Sequence, residues 1–180
     1  MKSLYVVTHC DDTQVIDHII NKSKELNLEK AFISGRKLNE KIRKVNKSDF
    51  FDDYTENFIY NLAHQINRQH FGFHLSHSTH CEYLEYNADN SHYSGHMDID
   101  TQGLYLYARK ISFVMLLNDS DEYEGGEFQL FDGIDYKKPD NFSKKGDVIA
   151  FPSFMFHRVT PVTKGQRKVL VAWVEGNLWQ

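Results

Sequence analysis

The chain has 180 residues, 21 basic against 25 acidic, so its mild negative charge offers no global electrostatic case for nucleic acid. A high aromatic share and only three prolines exclude disorder, and the length suits one domain, residues 1–180, with a sizeable core. Cys10 and Cys81 fit no Cys-x-x-Cys or zinc-finger spacing, and the run Leu4 to Val7 is too short for a signal peptide, so a cytoplasmic chain with reduced cysteines and no membrane association is expected.

Leu4 to Thr8 predicts a short strand. Asp11 reads as a helix cap with Gln14 as its capping-box partner, ahead of the apolar stripe Val15, Ile16, Ile19 and Ile20. From Asn21 to Lys47 the chain turns basic (Lys22, Lys24, Lys30, Arg36, Lys37, Lys41, Arg43, Lys44, Lys47). With Asp11, Asp12, Glu25 and Glu29 close by, this stretch reads as a solvated face and loop rather than a patch for an acidic partner. A second helix is expected from Thr55 to about His70. Phe58, Ile59, Leu62, Ala63 and Ile66 form its apolar face, and Gly72 suits the position past its end. His64 and His70 read as packed or surface histidines.

His74, His77 and His80 recur at intervals of three, which aligns side chains only on a helix, and this segment reads as loop leading into strand. Short strands then follow: His80 to Asn87, Tyr93 to Ile99, Lys110 to Leu117, Glu127 to Phe131, Asp147 to Phe151, Arg158 to Val162 and Arg167 to Val174. Such spacing indicates an antiparallel sandwich or barrel, and the expected fold is mainly β with flanking helices, a jelly roll. Residues 1–72 are expected to form an N-terminal strand and helical support packed on one sheet, and residues 73–180 the core.

His96 and Asp98 are two apart, so in a strand an imidazole and a carboxylate share one face. His157, at the start of a late strand, can complete a site of two histidines and one carboxylate, an arrangement suited to non-haem Fe(II). Arg167 lies ten residues beyond His157, across Thr163-Lys164-Gly165, and is expected to begin the antiparallel strand beside that of His157. Its flanks are apolar, so an inward guanidinium there needs an anion, and a dicarboxylate ligand would supply one. Tyr86, ten residues ahead of His96, can donate a second hydrogen bond to that carboxylate, or serve as a core tyrosine.

The set Tyr93-x-x-His96-x-Asp98, Arg109-Lys110-Ile111-Ser112, Tyr123-Glu124-Gly125-Gly126-Glu127-Phe128, Gly146-Asp147 with Phe151-Pro152-Ser153, and His157 through Arg167 resembles the Fe(II)/2-oxoglutarate-dependent dioxygenases of the prolyl 4-hydroxylase-like superfamily. It looks closest to the bacterial peptidyl-hydroxylase-type branch, over about Cys81 to Trp173. The resemblance implies a double-stranded β-helix, cupin-like, with Fe(II) on His96, Asp98 and His157 as catalytic residues. It implies 2-oxoglutarate bound by Arg167 and Tyr86, O2 as oxidant, ascorbate as an optional reductant, and succinate and CO2 as co-products. Trp173 matches an aromatic position near the substrate, and Tyr93 is a second substrate candidate. Where oxygen-sensing animal members place a tyrosine, this chain has Leu116, and where collagen-type members use Lys it has Arg167.

The implied substrate is a peptide or protein, with peptidyl proline leading; no nucleic acid, membrane or particular oligomeric state is implied. A free amino acid or small-molecule hydroxylase, a non-catalytic metal-binding jelly roll and a zinc hydrolase remain alternatives. The acidic loop Asn118 to Gly126, with Asp119, Asp121, Glu122 and Glu124, reads as solvated, or as a screen for a basic or polar peptide.

Overall fold

The computed structural model describes residues 4–32, 38–76, 79–99 and 107–179. Strand β1 (Val6–His9) leads into α1 (Thr13–Ser23). The cap is Asp12, not Asp11. The extended backbone of Asp12 turns its carboxylate onto the N–H groups of Gln14 and Val15, so Gln14 contributes its backbone rather than a capping-box side chain. Three short strands then cross the basic stretch: β2 (Glu29–Lys30), β3 (Arg43–Lys44) and β4 (Asn46–Asp49). They are brief and polar, so they carry no period-two signal. Helix α2 (Asp53–Ile66) starts two residues before Thr55, because Asp52 caps it through the Thr55 N–H and hydroxyl. A wide turn over Asn67–Phe71 ends at Gly72, whose φ of 73° is the left-handed stop expected there.

The remaining strands are β5 (Thr79–Asn87), β6 (His92–His96), β7 (Ala108–Leu116), β8 (Tyr123–Gly125) and β9 (Phe128–Phe131). After them come β10 (Tyr136–Lys137), β11 (Asp147–Pro152), β12 (His157–Val159) and β13 (Val162–Gly176). An eight-stranded sheet runs β1-β11-β7-β13-β5-β4-β2, with β8 on β13, and faces a five-stranded sheet of order β10-β9-β12-β6-β3. Both sheets draw strands from either side of residue 72: β1, β2 and β4 extend the larger, and β3 edges the smaller.

The alternation of side chains along each strand divides the core into two layers. Tyr83, Phe113, Ala150 and Ala172 point one way and pack under Ile19 of α1 and Ile59 of α2. Leu84, Val114, Ile149 and Val171 point the other way, toward Phe128, Leu130 and Val159 of the smaller sheet. Each large apolar side chain so buried stabilises the fold by roughly 1.5–3 kcal/mol. Cys10 and Cys81 are both buried and free. Among the described residues no helix is long and apolar enough to cross a membrane.

One expected neighbour relation is wrong. Strand β12 pairs with β6 and β9, whereas β13 pairs with β5, β7 and β8, so Arg167 does not lie beside the His157 strand. Pro161 has no N–H to continue a ladder, and there the chain crosses from the small sheet to the large one. Thr163-Lys164-Gly165 is therefore part of β13, paired with β8, and not a tight connection.

Candidate active site

The two histidines meet through pairing: His157 of β12 sits directly across from His96 of β6. Asp98 lies two residues past the end of β6, so strand alternation does not aim it; its backbone N–H donates to the Ser153 carbonyl at 2.9 Å and fixes the segment. Its carboxylate then reaches both rings, with Oδ1 3.4 Å from His96 Nε2 and Oδ2 3.6 Å from His157 Nε2. The three ligand atoms lie within 4.8 Å of one another. Ligands at about 2.1 Å from one ion stand at such separations.

Each imidazole is held from behind. His96 Nδ1 lies 2.9 Å from the Ser94 carbonyl and His157 Nδ1 3.0 Å from that of Met155. A carbonyl only accepts, so Nδ1 carries the proton and each Nε2 presents its lone pair to the common centre. Burial pushes His157 down to about 4, so this ring is neutral at neutral pH, as a ligand must be. Burial opposes ionisation of Asp98. The neighbouring His157 and His96 in their protonated forms, with the indole N–H of Trp173, outweigh that effect and hold the carboxyl well below the ordinary range. The Ser112 hydroxyl donates to Asp98 Oδ2 at 2.7 Å and lies 2.9 Å from Ser153 Oγ.

A cavity of about 160 Å³ opens over this triad, and Arg167, Tyr86, Tyr93 and Trp173 line it too. Arg167 is 1% exposed, and its Nη2 has no hydrogen-bond partner. It stands directly across the ladder from Tyr86, with its guanidinium carbon 5.3 Å from that ring's centre. A guanidinium this deeply buried without a carboxylate calls for an anionic ligand. Gly126 makes room for it: with φ of 63°, a Cβ there would come within 3.1 Å of Arg167 Cδ and 2.8 Å of Val162 Cγ2. A second cavity, bordered by Leu116, Tyr123 and Lys138, also reaches Arg167.

All seven residues singled out in the sequence therefore border one cavity. Tyr93 stacks on His96 with ring centres 3.5 Å apart, and Trp173 stacks on His80 at 5.7 Å. The sequence reading assigned no role to Ser112, Ser153, Glu82, Arg43 or Arg109. Ser112, Ser153 and Arg109 stood in the sequence only as members of the motifs that carry the resemblance; Glu82 and Arg43 depend on chain crossings. Of the histidines at intervals of three, His77 lies outside the described residues, and His80 approaches Asp49 at 3.6 Å and Glu82 at 3.7 Å. That second acidic cluster already holds a cation, because Lys47 Nζ lies 2.6 Å from Glu82 and 3.5 Å from Asp49.

Comparison with known proteins follows the same lines. A model described as the 2OG-Fe(II) oxygenase superfamily matches residues 81–175. A PKHD-type hydroxylase of Gloeothece citriformis is 37% identical over 83 residues, 46% of this chain and 37% of that protein. Another from Picosynechococcus is 45% identical over 69 residues, 36% of this chain and 29% of that one. The matched segments thus span only about a third of these relatives' length. A prolyl-4-hydroxylase of Pseudomonas putida superposes with a TM-score of 0.74 at 19% identity, covering 95% of this chain and 92% of that one. A Trichoplax adhaerens prolyl hydroxylase in complex with a hypoxia inducible factor peptide fragment gives 0.75 at 16% identity, covering 95% and 83%. At such identities the structural likeness speaks for the fold alone.

Proposed function

Since the chain belongs to the 2OG-Fe(II) oxygenase superfamily, we propose that it is an Fe(II)- and 2-oxoglutarate-dependent dioxygenase hydroxylating a C–H bond of a peptidyl residue, with proline the leading candidate. The observation that carries this reading is the buried, unpartnered Nη2 of Arg167 on the wall of the cavity that also holds His96, Asp98 and His157. A structural ion pair would have supplied that guanidinium with a carboxylate. A cosubstrate with a distal carboxylate supplies one on binding, in a charge-assisted pair.

In this reading His96, Asp98 and His157 would hold iron(II). When bound, iron(II) with 2-oxoglutarate and dioxygen supplies the oxidising chemistry for C–H cleavage, with succinate and CO2 as co-products. The protein supplies orientation. Ser112 and Trp173 fix the carboxylate of Asp98, and the Ser94 and Met155 carbonyls fix the two imidazoles. Arg167 and Tyr86 receive the far carboxylate, while Val114, Val169 and Val171 keep the walls dry. Trp173 and Tyr93 flank the triad and orient the substrate. The relatives named as hydroxylases and the peptide held by the Trichoplax protein support a peptide in this role. The buried free cysteines fit a reducing compartment, the cytoplasm.

The test is succinate formation from 2-oxoglutarate with Fe(II), with and without proline-containing peptides. Peptide-stimulated succinate with a peptide mass gain of one oxygen is expected. Metal-loaded protein giving neither coupled nor uncoupled turnover would overturn the reading.

A further inference from the structure

Arg43 enters the cavity from β3, in the basic stretch that the sequence reads as loop. Its strand pairs with β6 so that Arg43 stands opposite Tyr93, and its guanidinium lies 4.6 Å from the centre of that ring. The same ring stacks on His96, so Arg43 is one aromatic ring away from the triad. The side chain is 12% exposed. Its bonds are weak: Nη1 donates to the Phe32 carbonyl at 3.2 Å, and Nη2 meets Glu82 at 3.5 Å. Glu82 has its short contact with Lys47, at 2.6 Å. The Nε of Arg43 is buried with no partner. The Nε–Nη2 edge of a guanidinium is the edge that grips a carboxylate with two parallel bonds.

The charge around the cavity points the same way. Among the described residues, Arg43, Arg109 and Arg167 line it against Glu82 and Asp98. The charges of iron(II) and the 2-oxoglutarate dianion cancel, which leaves one positive charge for the substrate. Arg109 lies over Trp173 at 3.9 Å, beside the position given to the substrate. None of the acidic loop's Asp119, Asp121, Glu122 and Glu124 lines this cavity. Glu122 accepts from the Asp119 N–H, Asp119 from the Lys145 N–H, and Glu124 pairs with Lys164. Ser120 and Tyr123 of that loop border the second cavity, not the triad.

Resting on the oxygenase reading, we propose that Arg43 is a specificity-determining residue that binds a carboxylate beside the hydroxylated residue, so that the substrate is a peptide carrying Asp or Glu next to its target. The test uses proline-centred peptides whose neighbour is Asp or Glu, Asn or Gln, or Lys, with free proline as the small-molecule arm. Displacement of a labelled acidic peptide from protein loaded with Mn(II) and 2-oxoglutarate is read by fluorescence anisotropy, and succinate is measured in parallel with Fe(II). Acidic peptides are expected to bind about tenfold more tightly than their amide counterparts, as loss of one charged hydrogen-bond partner implies. The preference is expected to vanish in R43Q, persist in R43K and turn toward Lys in R43E.

Equal binding of acid and amide peptides by the unaltered protein overturns the proposal without any variant being needed. So does a preference that survives R43Q, or displacement by free proline alone. Acid preference with no succinate from any peptide removes the oxygenase reading and leaves the role of Arg43 standing. Succinate without acid preference does the reverse.

Discussion

The two faces of the eight-stranded sheet are made by the same strands, one residue apart, and they do different work. On β13, Leu170, Ala172 and Val174 join the layer under α1 and α2, while Arg167, Val169, Val171 and Trp173 border the cavity. The helix-side layer is almost wholly apolar and contributes stability. The cavity side buries a guanidinium, a phenol, an indole and a carboxylate, and gives up some stability to hold them ready. A one-residue register slip would exchange the two sets, so the pairing that stabilises the fold is also what defines the site.

Four experiments break or sharpen this contrast. The largest effect belongs to the triad: H157A should lower metal affinity at least about 100-fold and abolish coupled turnover, read by metal titration and succinate release. Next comes Arg167. R167L should lower 2-oxoglutarate affinity by at least about 100-fold, the scale of losing one member of a buried charged pair. The ligand-free variant should nevertheless melt at or above the temperature of the unaltered protein, because an unpartnered buried charge has gone. Calorimetry with 2-oxoglutarate and thermal melts check both halves, and a lower melting point without ligand would show Arg167 to be structural.

The helix side should answer in the opposite way. I59A should cost about 2–5 kcal/mol in urea unfolding and leave 2-oxoglutarate affinity unchanged. The smallest effect concerns acid. Burial of Glu82 favours its neutral form, yet His80, Lys47 and Arg43 hold the carboxyl down at about 2. A carboxyl lowered on folding contributes stability present above its unfolded value, near 4.5, and lost as pH falls toward 2. Urea midpoints measured across that window should fall in the unaltered protein and fall less in E82Q.

Much of this was legible before any coordinates. His96, Asp98, His157 and Arg167 could be named because each is a residue type whose burial demands a reason, and because their order and spacing resemble a known family. The apolar stripes of α1 and α2 were read for the same reason: one face of a helix repeats in sequence. The route by which Arg167 reaches the site was misread. A strand reached through a glycine looks like a hairpin, and nothing local says that Pro161 sends the chain to the opposite sheet. Arg43 was passed over because β3 is two residues long and lies in a lysine-rich stretch. A solvated basic loop and a cation inserted into a cavity are the same string of letters.

The sequence by itself determined which groups must be buried: alternation and helical periodicity mark the apolar faces, and an arginine among valines asks for an anion. Only the tertiary structure decided which groups meet. The pairing of β6 with β12 brings two histidines together, β13 crosses to the facing sheet and carries Arg167 under them, and β3 delivers Arg43 beside Tyr93. Burial preference is a property of a residue and its near neighbours, whereas convergence is a property of strand pairing between segments far apart in the chain.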